Sequence, residues 1–204
     1  MPVYPVVPTS ITVHLGLPDS SAPNVTVPFT SYIKNVASHE LYPTWPEAAL
    51  RANIMAQISF ALNRVYTEYY RTRGYDYDIT STTQYDQAYV EGGDVFENIS
   101  QIVDDIFNNY IVRQGSVEPL FAQFCDGVRT QCGGLSQWGS VDLAQDGMIV
   151  VVLSMSGEDG ALVSGPDIIT RGFIYVKESE DLMEQARAVV YDAVEKCLDR
   201  GITD

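Results

Sequence analysis

Cysteine and histidine, the residues on which metal and nucleophile chemistry most often rests, are scarce: the 204-residue chain has three of the first and two of the second. His14, inside the apolar run 11–15, has no second ligand beside it and reads as a strand residue rather than a metal ligand. Cys125, Cys132 and Cys197 cannot all pair within one chain. A bridge between the first two would close only a short loop, which leaves a disulfide, two buried thiols or a zinc site open. Positive charge is also thin, with 12 Lys and Arg against 27 Asp and Glu and a formal net charge of -15. That balance argues against a nucleic-acid partner, whose phosphates are bound by releasing counterions to Lys and Arg, and against an anionic membrane surface. No apolar run approaches the roughly 20 residues of a membrane span. The start MPVYPVVPTS is broken by proline and lacks a basic region, so no signal peptide is expected in it.

What the chain does have is the material of a folded core, with 46% hydrophobic and 11% aromatic residues. Its length suits one ordinary domain, or one domain and a fragment of another. The most organised stretch is 27–73. Pro28 opens a short helix through about Ser38, a tight loop carries Glu40 among Tyr42, Pro43, Trp45 and Pro46, and a long helix follows. Leu50, Ile54, Ile58, Ala61 or Leu62, Val65 and Tyr69 recur at spacings of three and four, the period of a helix with one buried stripe, and Gly74 is its stop. A glutamate packed against Tyr42 and Trp45 would have its pKa raised, as a proton donor needs near neutral pH. The same glutamate could instead cap the long helix, where negative charge is favoured.

Elsewhere, 11–15 reads as a strand and 75–89 as an extended segment with one polar face. Asp94 with Glu97 reads as a capping box before a helix whose stripe is Ile99, Ile102, Val103, Ile106, Phe107 and Tyr110, leaving Asp104 and Asp105 to water. Ser136 is placed to cap another short helix with Gln137 and Trp138 in its first turn. Trp138 there suits either a sugar face or a core anchor. From Met148 on the texture changes to a strand run at 149–153, a turn at 157–160, a strand at 172–176 and a helix from Ser179 with Gly201 as its stop.

Three stretches in order carry a family resemblance: 32–38 with Glu40 and Trp45-Pro46-Glu47-Ala48, then YDYDITSTTQYDQAY at 75–89, then GGLSQWGSVDLAQDG at 133–147. Together they resemble the SpoIID/LytB family of sporulation and cell-wall proteins over residues 27–147. One branch of that family cleaves peptidoglycan glycan strands as lytic transglycosylases, and the other modifies a cell-wall amidase. By its spacing to Pro46, Glu40 falls on the family's catalytic acid. The resemblance implies glycan contacts from Tyr42, Trp45, Thr82, Thr83, Gln87, Gln137 and Trp138. For Thr82, Thr83 and Gln87 the solvent face of a strand explains the pattern equally. The family's Cys, His and Cys metal positions fall here on Thr80, Gln84 and Tyr85, and its loop His on Gln131, so no metal and no cofactor is expected. Asp78, Asp86 and Asp126 remain as second carboxylates.

Residues 146–204, with Ser164-Gly165-Pro166-Asp167 and Arg171-Gly172-Phe173, are similar to the beginning of the ribonuclease J C-terminal domain. Nuclease activity is not implied. Only His14 and His39 exist to build a metal centre, and from Asp146 on twelve acids face five bases. An association role is the most that the likeness carries. The expected fold is therefore α+β, with a mainly helical SpoIID-like domain over 1–147 and a C-terminal β-hairpin and helix over 148–204. Two resemblances meeting at Asp146-Gly147-Met148 point to a chimaeric join. The expected function is glycan-strand cleavage with one Glu as acid and base, the alternatives being an inert wall-binding or amidase-modifying protein, or a chimaeric product. A cell-wall or spore-envelope location is implied by the resemblance alone, and the oligomeric state is left open.

Overall fold

The computed structural model describes residues 5–112, 116–150 and 175–177. In β1 (Ser10–His14), Ile11 and Val13 point inward in the alternation of a half-buried strand. Its neighbour β2 (Asn24–Pro28) pairs antiparallel with it, Thr12 facing Thr26. Pro28, with φ fixed near the helical value, ends β2 and begins α1 (Phe29–Glu40). Phe29, Tyr32, Ile33, Val36 and Ala37 form the buried face of α1 at spacings of three and four. Glu40 is the last residue of this helix rather than a loop residue, because the helical turn continues through it to the 37–41 backbone bond.

A loop at 41–46 leads into α2 (Glu47–Tyr66). The single buried stripe expected of this helix is not what forms. From Ala49 to Arg64 every residue except Arg51 is buried, so α2 is the axle of the domain, with α1 and the strands and helices described next around it. Burying Leu50, Ile54, Ile58 and Leu62 stabilises the fold by about 1.5–3 kcal/mol each. The same enclosure buries Asn53, Gln57, Ser59, Asn63 and Arg64, each of which must find a partner inside. The helix also stops at Tyr66, short of the expected 73. A separate 3-10 turn, Arg71–Arg73, closes on Gly74 at φ 91°, a left-handed conformation that glycine adopts without strain.

β3 (Ile79–Thr80) joins the other edge of β1 in parallel, giving the sheet order β2-β1-β3. The rest of 75–89 is turns rather than a strand. α3 (Glu97–Ile106) lays Ile99, Ile102, Val103 and Ile106 on the core, but Phe96 stands at its N-cap with no side-chain bond, and Asp94 takes no part. Asp104 and Asp105 do not simply face water: Asp104 pairs with Lys34 and Asp105 with Arg51.

β4 (Phe124–Cys125) and β5 (Leu135–Ser136) form a short parallel pair, and Cys125 is disulfide-bonded to Cys132. α4 (Gln137–Gln145) is capped as expected, Gly139 N donating to Ser136 Oγ at 3.0 Å. β6 (Met148–Val150) runs along α2 and α4 and pairs antiparallel with β7 (Tyr175–Lys177). The turn expected at 157–160 and the helix expected from Ser179 lie outside the described residues. No described helix is long and apolar enough to cross a membrane.

Candidate functional site

Glu40 ends α1 with its carboxyl turned toward the axle. Gln57 of α2 donates from Nε2 to Oε2 at 2.9 Å, and the backbone N–H of Ala88 donates to Oε1 at 2.8 Å. Among the described residues no cation pairs with it. Burial pushes the Glu40 carboxyl up to about 7, the bonds from Ala88 and Gln57 pulling partly the other way. The helix-capping alternative does not describe this geometry, since the donors are a side chain ten residues into α2 and the amide of a separate segment.

Around Glu40 the support is polar and buried. Gln87, fully enclosed, accepts from Tyr32 Oη at 3.0 Å and donates to Gln57 O at 3.1 Å. One turn before Gln57 on α2, Asn53 donates to Ser140 Oγ of α4 at 2.8 Å. Asn53 Oδ1 and Gln57 Oε1 are buried oxygens with no donor among the described residues. Two turns further along, Arg64 is held by Asp86 at 2.7 Å. Segment 86–88 thus links Arg64 to Glu40, Asp86 at one end and the Ala88 amide at the other.

The aromatic residues named from sequence do come together. Trp45 and Trp138 meet edge to face with ring centroids 5.0 Å apart, and Tyr42 leans on both at 5.6 and 5.9 Å. Tyr42 is 59% exposed, Trp138 40% and Trp45 9%. Trp138 is therefore part of a surface platform and not a core anchor, held at the first turn of α4 by the Ser136 cap.

Other candidates fall elsewhere. Gln87 has no exposed surface, so it supports the site from within instead of offering a hydrogen bond to a sugar. Gln137 is nearly buried. Thr82 is half-buried in a turn whose carbonyl accepts from Tyr85 and Asp86, and Thr83 is exposed on that turn. Of the second carboxylates, Asp78 pairs with Arg71 and Asp86 with Arg64. Asp126 accepts from the amides of Val128, Arg129 and Thr130, which hold its carboxyl below the usual range, Thr130 foremost. Thr80, at a family metal position, is bonded through N and Oγ1 to Asp86 at 2.9 and 2.7 Å. His14 is buried, bonded to Asn24 and stacked on Tyr77 at 4.7 Å.

The residues missed from sequence are Asn53, Gln57, Arg64 and the Ala88 amide. Amides at 53 and 57 and an arginine at 64, spaced by four and seven, share one face of the helix. That signal was available, but polar residues on a long helix read as its solvent side unless the helix is known to be central.

Residues 21–108 match the family of the stage II sporulation protein, SpoIID, and residues 141–204 match the ribonuclease J C-terminal domain. The chain thus carries a SpoIID domain followed by a ribonuclease J C-terminal-like domain, an arrangement consistent with a chimaera. It is 36% identical to Ribonuclease J2 of Bacillus subtilis (strain 168) over 116 residues, which cover 52% of this chain and 18% of that protein. Over 53 residues it is 38% identical to Ribonuclease J 1 of Streptococcus pyogenes serotype M3 and 42% identical to Ribonuclease J 2 of Staphylococcus aureus (strain N315), covering 26% of this chain and 10% of each. The chain spans less than a fifth of the length of these curated relatives. No solved structure matches it significantly.

Proposed function

We propose that this chain cleaves peptidoglycan glycan strands as a lytic transglycosylase, with Glu40 as its acid and base. The observation that carries the reading is the desolvated Glu40 carboxyl, bonded by two N–H donors and, among the described residues, by no cation, in a domain matched to SpoIID. A titration point about 7 leaves an appreciable fraction of the acid form near neutral pH and gives a carboxylate basic enough to act in reverse. The acid proton goes to the glycosidic oxygen as its bond to the muramic C1 breaks. The muramic 6-hydroxyl oxygen then bonds to C1, and its proton passes to the Glu40 carboxylate. The carboxyl is restored, no water enters, and no second carboxylate is required. Because Gln57 and Ala88 each direct an N–H at one carboxyl oxygen, the proton is left to the lone pairs facing away from them. The Tyr42, Trp45 and Trp138 platform supplies flat apolar faces for pyranose rings.

Digestion of labelled glycan strands, with mass spectrometry for anhydromuramic ends, tests the reading. A second reading, an inert wall-binding or amidase-modifying domain, draws on Thr80, Gln84 and Tyr85 standing where the family has Cys, His and Cys. It predicts strand binding with no such ends. In either reading the chain acts at the cell wall or spore envelope, and its segment matched to the ribonuclease J C-terminal domain has an association role.

A further inference from the structure

Beside the aromatic platform, between the start of α2 and the length of α3, lies a hollow of about 350 Å³, at the small end of the range for ligand sites. Trp45 is the wall it shares with the platform: it lines the hollow, and its ring meets Trp138 edge to face. Apart from Leu50 and Ile102 the rest of its lining is polar: Glu47 and Arg51 from α2 and Asn98, Gln101 and Asp105 from α3.

The hydrogen bonds within this group decide what it can accept. Arg51 bridges Glu47 through Nε and Asp105 through Nη2 at 2.7 Å each, which ties the two helices together. Asn98 Nδ2 donates to Pro43 O at 2.8 Å, clamping the 41–46 loop that carries Tyr42 and Trp45. Gln101 Nε2 donates to Glu97 at 2.9 Å. The side-chain oxygens of Asn98 and Gln101 and the outer oxygens of Glu47 and Asp105 have no donor among the described residues, and they stand beside the second amide N–H groups of Asn98 and Gln101 and the Arg51 Nη1 group, which none of these bonds uses. Two carboxylates against one guanidinium also leave the hollow negative. A ligand here should bring hydroxyl and amide donors, an apolar face for the indole, and no negative charge.

We propose that this hollow is a saccharide subsite for an uncharged N-acetylhexosamine, continuing the glycan track from the Trp138 platform across Trp45 to the α2–α3 edge. The proposal rests on the glycan reading above and adds to it a requirement for chain length. Sugar hydroxyls and the acetamido N–H meet the four acceptor groups, and Trp45 carries the ring face.

The test uses the full chain and N-acetylglucosamine oligomers of two to six units. Its two tryptophans give two separate indole N–H signals in 15N NMR. Dimers are expected to shift the Trp138 signal, and tetramers to hexamers to shift Trp45 and the Gln101 side-chain amide as well, with affinity rising about tenfold. The double variant Gln101→Leu, Asp105→Asn, both on the outer face of α3, should lose that gain and keep dimer binding. If long oligomers move only Trp138, or the double variant binds them as the parent does, the subsite is overturned while the glycan reading stands. If fully de-N-acetylated glucosamine oligomers bind the hollow tenfold more tightly, it is a cation site and the proposal fails. If no oligomer shifts either indole, the glycan reading itself is overturned and this inference with it.

Discussion

Two carboxylates, Asp86 buried and Glu40 half-buried, lie at the two ends of one three-residue segment's contacts, and the fold treats them in opposite ways. Asp86 receives the Arg64 guanidinium, the Tyr70 hydroxyl at 2.6 Å and both donors of Thr80. Arg64 is itself packed over Tyr69, its guanidinium carbon 3.7 Å from the ring centroid. Glu40 receives two neutral N–H groups and, among the described residues, no cation. A buried charge that is paired and fully bonded is a fixed part of a core. One that is bonded but unpaired stays close to neutrality and can exchange a proton. The difference teaches that α2 organises both: the same enclosed helix offers Arg64 to one acid and only an amide, Gln57, to the other.

The largest effect should come from breaking the paired side. Asp86→Ala leaves Arg64 buried without its partner and is expected to cost about 3–5 kcal/mol in urea denaturation, or to prevent folding. A loss under 1 kcal/mol would mean that the Arg64 charge is solvated after all.

The unpaired side should show itself in pH dependence. Because the folded pKa of Glu40 is raised from 4.5 to about 7, its contribution to stability is fully present below the unfolded value and is lost as pH rises through the folded one. Between pH 4 and 8 this group should cost the parent roughly 2–3 kcal/mol. Glu40→Gln should lack that slope, although its single oxygen serves only one of the two donors and so lowers stability somewhat at every pH. Parallel stability curves for the two proteins would show that Glu40 is not desolvated.

Smaller changes sharpen the contrast. Thr80→Val removes one neutral donor to Asp86 and should cost about 1 kcal/mol in a thermal or urea melt. Gln57→Met removes the one side-chain donor to Glu40, and the midpoint read from its carboxyl 13C signal should move further upward, since that bond favours the charged form. An unchanged midpoint would show that Gln57 does not govern the acid.

Much of the frame was legible in the sequence because it is written in local patterns. The Ile11 and Val13 alternation, the α3 stripe from Ile99 to Ile106 and the Ser136 cap all depend on residues within a few positions of one another. Glu40 was marked out by its aromatic neighbours and Trp138 by its place after the Ser136 cap, while the roles given to them came from likeness to a family. What could not be read was set by enclosure. Whether Gln57 and Arg64 face water depends on five elements closing around α2, and sequence periodicity cannot count neighbours. Gln87 was placed on the surface for the same reason: in a short polar segment, a side chain bonded to Tyr32 and the Gln57 carbonyl looks like one bonded to solvent.

Whether the unpaired acid does chemistry is decided by incubating purified glycan strands with the parent and with Glu40→Gln near pH 6.5 and counting anhydromuramic ends by mass spectrometry. The expected result is product from the parent and none above background from the variant, with both proteins folded and both binding strands. Equal rates from the two proteins, or strand binding by a parent that makes no such ends, would contradict Glu40 as the acid and base of a transglycosylase.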